Sequence, residues 1–390
     1  MHWWWYGCGW ASQRRVIQNL NIKRFLSKNW QSKPLLIRGA LPNFKNPLSP
    51  DELAGLSMNG ISESRIVNQL NSKYSLQQGP FTRKTFKNLH GKWTLLVQEV
   101  DKIVPDVKKI LNQFNFLPSW RMDDIMISYA VDGAGVGPHI DNYDVFLIQA
   151  HGSRKWKWSK NKVFDEELIQ NSEVRLLKNP QFDYEEILKP GDMLYLPPRI
   201  AHDGVAVGEC MTISVGFRAP TARDLIQDYL AKLVSELEDQ IFYSDPKLKK
   251  YEDPYKIFEP EMKKMLKFLN SNLNNQDLQL ETIGNVLTQP KEVLPEPPEN
   301  PLDNKEFLQK FQSDHKLKKS EASNFCYYES KSEVLLFVNG SCEKFPKVLK
   351  KFIQAICNEP VVKFHKKFVD YKDVRRFIYN HYLNGVFYFD

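Results

Sequence analysis

Residues 135–158 read GVGPHIDNYDVFLIQAHGSRKWKW, and this stretch decides the fold. A glycine-punctuated approach leads into an apolar run, a turn at AHGS and a second run of alternating character, the pattern of an antiparallel strand pair. His139 and Asp141 stand two apart in a strand-like register, so both side chains project from one face. Similar short β-prone runs lie on either side: DIMISYAV (124–131) before it, MLYLPP (193–198) and TISVGF (212–217) after it. The turn clusters DGAGVGP, AHGS and KPGD separate them. Several short strands at this spacing predict a β-sandwich or barrel of the jelly-roll kind.

His202 ends the run KPGDMLYLPPRIAH (189–202). Two imidazoles and one carboxylate suit non-haem Fe(II), which they hold on one face of an octahedron with open positions opposite. Zinc is the competitor, but its catalytic sites are usually four-coordinate. A His-x-Asp pair alone is weak. Joined to an all-β neighbourhood, a Pro-Gly-Asp turn and a downstream histidine, it is a strong signal.

The chain has 390 residues, which at typical domain sizes predicts two or three domains. Its composition is 42% hydrophobic and 26% charged, ordinary for a globular protein and incompatible with wholesale disorder. Five scattered cysteines without a C-x-x-C pattern argue against a disulfide scaffold or zinc ribbon and fit a reducing cytosol. No apolar stretch approaches the length of a membrane span, so the expected location is cytoplasmic. Residues 301–390 hold 16 Lys+Arg against 11 Asp+Glu, so most of the chain's net charge of +7 lies there.

Residues 1–18, rich in tryptophan, read as an atypical extension, foreign to the fold. From 19 to 220 the pattern is that of the β-rich domain. It is preceded by helical and strand signals in NIKRFLSKNW and KPLLIRGA and by SPDELAGL, where Ser49 is a helix N-cap and Pro50 the first helical residue. A T-x-x-D at Thr221 opens a helical segment over 221–289, with an apolar stripe from Leu225 to Leu237. PKEVLPEPPENP then predicts a stiff linker over 290–302. The remainder, 303–390, reads as a winged-helix-like α+β module.

These motifs resemble a known family. The core looks like a JmjC-type Fe(II)/2-oxoglutarate oxygenase built on a double-stranded β-helix. DELAGL, WRMDDIMIS, GVGPHIDNYDVF, KPGDMLYLPP and SVGFRAP resemble the bacterial ribosomal oxygenases more narrowly. The resemblance implies Fe(II) held by His139, Asp141 and His202, with 2-oxoglutarate and O2 as co-substrates. It implies Arg154 as the anchor of the 2-oxoglutarate distal carboxylate, pointing inward with Trp156 while Lys155 faces away. Ser128, Thr212 and Ser214 are the expected polar company of the co-substrate. Alanine at 130 and threonine at 212 replace a serine and an asparagine of the bacterial family. The resemblance further implies hydroxylation at the β-carbon of an arginine in large-subunit ribosomal protein sixteen, and a homodimer formed through the helical segment. For the substrate, strand parity puts Asp124, Met126 and Ser128 on one face, with Asp123 turned away. Asp124 offers a carboxylate to a guanidinium, Met126 an apolar wall, and Tyr143 continues the His139–Asp141 phase.

Other readings compete. The same chemistry on another side chain, such as histidine, is disfavoured by Asp124, since a carboxylate complements a guanidinium. A cupin-like module that binds the ribosome without catalysis is disfavoured by the intact triad and Arg154. A nucleic-acid regulator needs a dense Arg/Lys reading face, which no terminal helix carries. His151 is expected to be an exposed turn residue, and the KWKW tryptophans and Cys210 are expected to pack.

Overall fold

The structure is a computed structural model describing residues 17–390, apart from 71–72, 165–166, 171–172, 247, 251, 314–316, 360, 363–367, 369 and 390. Nearly all of the Trp-rich start lies outside the described residues. Two compact units emerge. The first comprises the chain up to Ala219 together with Pro290–Ser323 and Pro360–Asp390; the second comprises Pro220–Gln289 and Asn324–Glu359. The sequence beyond the prolines therefore contributes to both units, where its pattern alone reads as one module.

The first unit is built on nine antiparallel strands: β1 (Leu35–Ile37), β2 (Ser64–Leu70), β3 (Lys73–Gln78), β4 (Lys92–Val97), β5 (Met122–Ala130), β6 (Asp144–Lys162), β7 (Tyr184–Leu188), β8 (Met193–Leu196) and β9 (Ile200–Phe217). Their order is β1-β8-β6-β9-β5-β4-β2-β3, with β7 added to β6. Strands β6 and β9, of 19 and 18 residues, pair along their whole length. Register shifts around 149–153 and beyond Trp158 bend this ribbon, as bulges do. The first half of β6 pairs with β8 and the second half with β7. Residues 134–139 run beside the far half of β9, through Ala206 N–H to the Ala134 carbonyl and a bridge between His139 and His202. One bent ribbon thus joins both sides of a nine-stranded sheet, a core like the jelly roll of the JmjC and cupin kind.

Alternation decides what each face meets. Ile125, Ile127, Phe146, Ile148, Ile213, Val215 and Phe217 turn outward and are buried under flanking helices that bring Phe25, Val107, Ile110 and Phe114. Each such burial contributes roughly 1.5–3 kcal/mol. On the same side Asp144 is fully buried yet satisfied, accepting from Tyr195 Oη (2.6 Å), Arg121 Nη2 (3.1 Å) and Gln31 Nε2 (3.1 Å). The opposite phase lines the barrel interior.

The predicted helix start at Ser49 and Pro50 is present as a capping box closed by Glu52, and Thr221 with Asp224 forms another. The KPGD turn has a physical cause as well. Gly191 sits at φ +89°, and the Asp192 carboxylate accepts from Gly39 N (2.8 Å), Lys189 N (3.1 Å) and Arg38 Nη1 (2.7 Å).

The second unit carries helices Ala222–Glu236, Glu259–Leu273 and Gln276–Thr288 and a three-stranded sheet of Phe325–Glu329, Glu333–Val338 and Ser341–Pro346. The helical segment predicted over 221–289 is thus three helices among the described residues. Gly284 lies so close to the Phe337 ring that no side chain fits there. Ile226, Leu230, Val234 and Leu237 stay exposed along the first helix, as do Met262, Met265, Leu266 and Leu269 along the second. Among the described residues, no helix is long and apolar enough to cross a membrane.

Candidate metal centre

His139 and Asp141 do not lie within a regular strand. They follow an irregular, glycine-rich approach that is tied to β9 again at His139, which exchanges backbone hydrogen bonds of 3.0 and 2.9 Å with His202. The glycines are required by proximity: a side chain at Gly135 would strike the Gly204 carbonyl oxygen, and Gly137 sits at φ +81°. The tie brings the two rings within 4.2 Å, centroid to centroid, and leaves His202 Nε2 3.6 Å from Asp141 Oδ2. One ligand atom from each of the three residues lies within 4.8 Å of the others.

The remaining ring nitrogens are spoken for. His139 Nδ1 lies 2.9 Å from the Gly137 carbonyl oxygen, and His202 Nδ1 lies 2.9 Å from that of Ile200. With each Nδ1–H donating, both Nε2 lone pairs stay bare for a metal, the tautomer such ligands use. Burial, and then the neighbouring His139, push the His202 imidazole down to about 4, so it is neutral near pH 7. Neutral imidazole is the form that ligates.

Asp141 is steered by a residue the sequence reading passed over. Arg199, at φ +72°, donates its backbone N–H to the Asp141 carbonyl (2.7 Å). Its guanidinium donates to the Val163 and Phe164 carbonyls and to Asn142 Oδ1. The arginine inside PPRIAH thus staples the turn that carries the carboxylate.

Arg154 is 4% exposed, donates from Nε to Cys210 Sγ (3.4 Å), and lies 5.7 Å from the Trp156 ring centroid. Its Nη2 is buried without a partner. An orphaned guanidinium nitrogen inside a barrel is costly unless an anion completes it. That fits a dicarboxylate such as 2-oxoglutarate, as the two imidazoles and carboxylate fit Fe(II). Lys155 points outward toward Glu185.

The remaining expected residues fall into cross-strand rows, whose members share a face. Ser128, Thr212 and Gln149 form one row, with Thr212 Oγ1 donating to Gln149 Oε1 (3.2 Å); Met126, Ser214 and Leu147 form the next. Thr94, Ala130 and Cys210 form a third. Thr94 went unnoticed in the sequence. It is fully buried, its hydroxyl has no partner, and it stands directly opposite Ala130. His151 is exposed, and Trp156, Trp158 and Cys210 are buried.

At the other end of β5, strict alternation fails. A register shift between Met122 and Ile125 marks a bulge, so Asp123 and Asp124 do not diverge as parity predicts. Both reach Lys291 Nζ, at 2.6 Å from Asp123 Oδ2 and 3.4 Å from Asp124 Oδ1. Asp123 also pairs with Arg218 (3.3 Å), and Asp124 Oδ2 accepts from Glu99 N (3.2 Å). Burial raises the Asp124 carboxyl above its ordinary range, with Lys291 opposing. Tyr143 is 43% exposed. The Asp141 charge, then burial, hold the phenol well above its usual value.

Comparison with known proteins agrees with this construction. A family model described as the JmjC domain matches residues 109–225. Over 289 residues the chain is 36% identical to the ribosomal protein uL16 3-hydroxylase of Escherichia coli (strain K12), covering 72% of this chain and 76% of that protein. It also matches the X-ray structure of E. coli YcfD, with a TM-score of 0.86 at 29% identity over 95% of this chain and 99% of that one. The structure of YcfD, a ribosomal oxygenase, in complex with cobalt and 2-oxoglutarate matches over the same shares with a TM-score of 0.83 and 29% identity. The chain belongs to the JmjC-type ribosomal oxygenases, which are 2-oxoglutarate-dependent dioxygenases.

Proposed function

We propose that the chain hydroxylates the β-carbon of an arginine in ribosomal protein uL16, the large-subunit protein sixteen. The observation that carries this reading is the pairing of a three-residue metal centre with a buried, incompletely partnered Arg154 on one barrel interior, in a chain so similar to a uL16 3-hydroxylase. Fe(II) with bound 2-oxoglutarate and O2 supplies the oxidising power that inserts one oxygen atom into a C–H bond, 2-oxoglutarate leaving as succinate and CO2.

The work of the protein is to hold and to exclude. His139, Asp141 and His202 present the metal ligands. Arg154 meets the distal carboxylate of 2-oxoglutarate through its free Nη2, a charge-assisted bond in a dry setting. Ser128, Thr212 and Ser214, on neighbouring interior rows, surround the co-substrate; Thr94 adds a hydroxyl beside Ala130. Asp124 receives the substrate guanidinium, Met126 packs along its stem, and the exposed ring of Tyr143 covers its plane.

Acting on a ribosomal protein, the enzyme works in the cytoplasm. The reading makes the protein a homodimer through the helical segment, supported by the exposed apolar stripes on Ala222–Glu236 and Glu259–Leu273. Light scattering giving the mass of one chain overturns the dimer. For the activity, the purified protein is incubated with Fe(II), 2-oxoglutarate and an arginine peptide of uL16. Mass spectrometry is expected to find one added oxygen on arginine, with stoichiometric succinate. Succinate without peptide oxidation, or neither, rejects the substrate.

A further inference from the structure

The acidic end of the interior already contains a cation. Lys291 lies within the proline-rich stretch, 167 residues along the chain from Asp124, yet its ammonium sits between Asp123 and Asp124. Chance drape does not explain this placement. The N–H groups of Glu292 (3.1 Å) and Val293 (3.2 Å) both donate to Glu99 Oε2. Glu99 is itself buried at φ +49° and donates its own N–H to Asp124 Oδ2. One residue therefore fixes both the strap that delivers the lysine and the carboxylate that the lysine meets.

The two cations at this site differ. Arg218 is 14% exposed at its side chain and pairs with Asp123; Lys291 is 46% exposed and reaches both carboxylates. An ammonium on a flexible, half-solvated stem returns to water at little cost, whereas a buried guanidinium does not. Lys291 is the partner that can leave.

We propose that Lys291 is a resident counter-ion which a substrate arginine must displace from the Asp123–Asp124 pair, and that this exchange sets an affinity threshold which arginine clears and lysine does not. This rests on reading the chain as a protein-arginine hydroxylase. An incoming lysine replaces one point charge by another and gains nothing. An incoming guanidinium offers two parallel N–H bonds to a carboxylate, a geometry an ammonium lacks. The resident lysine thus subtracts the same amount from every cation: the arginine-to-lysine ratio comes from the bidentate surplus, and the lysine sets the threshold that only this surplus clears.

The test measures peptide affinity by calorimetry on the full-length protein loaded with Mn(II) and 2-oxoglutarate, without O2. The ligands are the uL16 arginine peptide and the same peptide with lysine at the target. Lys291→Met, which keeps the length and drops the charge, is expected to tighten the arginine peptide about fivefold, the scale of one partly exposed ion pair. It also brings the lysine peptide into measurable binding. Lys291→Arg, which holds the carboxylates more firmly, is expected to weaken the arginine peptide below wild type. Unchanged or weaker binding by Lys291→Met overturns the proposal, since damage to the site cannot improve affinity. Hydroxylation by the wild-type protein is scored separately: tighter binding without hydroxylation keeps the exchange and removes the arginine-hydroxylase reading.

Discussion

At the metal end of the barrel interior, His139 and His202 each spend one ring nitrogen on a backbone carbonyl and leave the other bare. At the acidic end, Asp123 and Asp124 have their oxygens taken by Arg218, Lys291 and the Glu99 N–H. The first end is pre-set for an incoming ion; the second is filled and must be emptied. The contrast follows from what each end receives. A metal ion needs lone pairs already aimed, because little reorganisation can be recovered after it binds. A long, flexible cationic side chain meets a carboxylate anywhere, and a resident competitor sets the threshold it must clear.

The sharpest way to break this contrast is at the metal. His139→Ala and Asp141→Ala are each expected to cost at least ~100-fold in succinate release, since they delete a ligand outright. Retained turnover in either removes the metal centre as assigned. Next comes Arg154→Met, expected to weaken 2-oxoglutarate by roughly 30-fold, the worth of a charged hydrogen bond, in titrations of the Mn(II)-loaded protein. Peptide binding by that variant separates the co-substrate end from the acidic end, and is expected to be preserved. A smaller effect belongs to Arg199→Gly, which keeps the left-handed backbone but drops the guanidinium staple. Metal affinity is expected to fall about 10-fold, as for other residues that orient a ligand. The smallest is Thr94→Val. Replacing a partnerless buried hydroxyl by a methyl leaves the melting temperature equal or higher, while 2-oxoglutarate weakens roughly threefold. Lower stability with unchanged 2-oxoglutarate affinity shows that the hydroxyl serves the fold instead.

What was legible in the sequence follows the range over which each feature is made. The triad could be read because two ligands are two residues apart and the third follows a recognisable turn. The inward direction of Arg154 could be read because alternation from AHGS sets which way it points. Parity succeeded for Met126 and Ser128, which lie in regular pairing, and failed at Asp123, because the bulge inserts a residue that no pattern of hydrophobicity announces. Thr94 was hidden by its ordinary setting in KWTLLV: only its position opposite Ala130 gives it meaning. Arg199 stood in plain view within PPRIAH, but its role depends on a left-handed backbone that sequence does not mark for arginine. Lys291 lay furthest from reach, since prolines predict an extended chain but not where that chain lands.

The bent ribbon of β6 and β9 has a thermodynamic consequence. Arg154, Thr212 and His202 are all carried on these two strands, whose outward faces hold the helices through Phe146, Ile213 and Phe217. An ion bound at one end is therefore linked to the cooperative melting of the whole first unit. Because only the folded ribbon assembles the ligands, Mn(II) should raise the unfolding midpoint in proportion to the logarithm of its concentration above Kd. 2-Oxoglutarate should add a further increment only when the metal is present. Heat capacity traces then become a measure of site assembly that needs no substrate and no turnover.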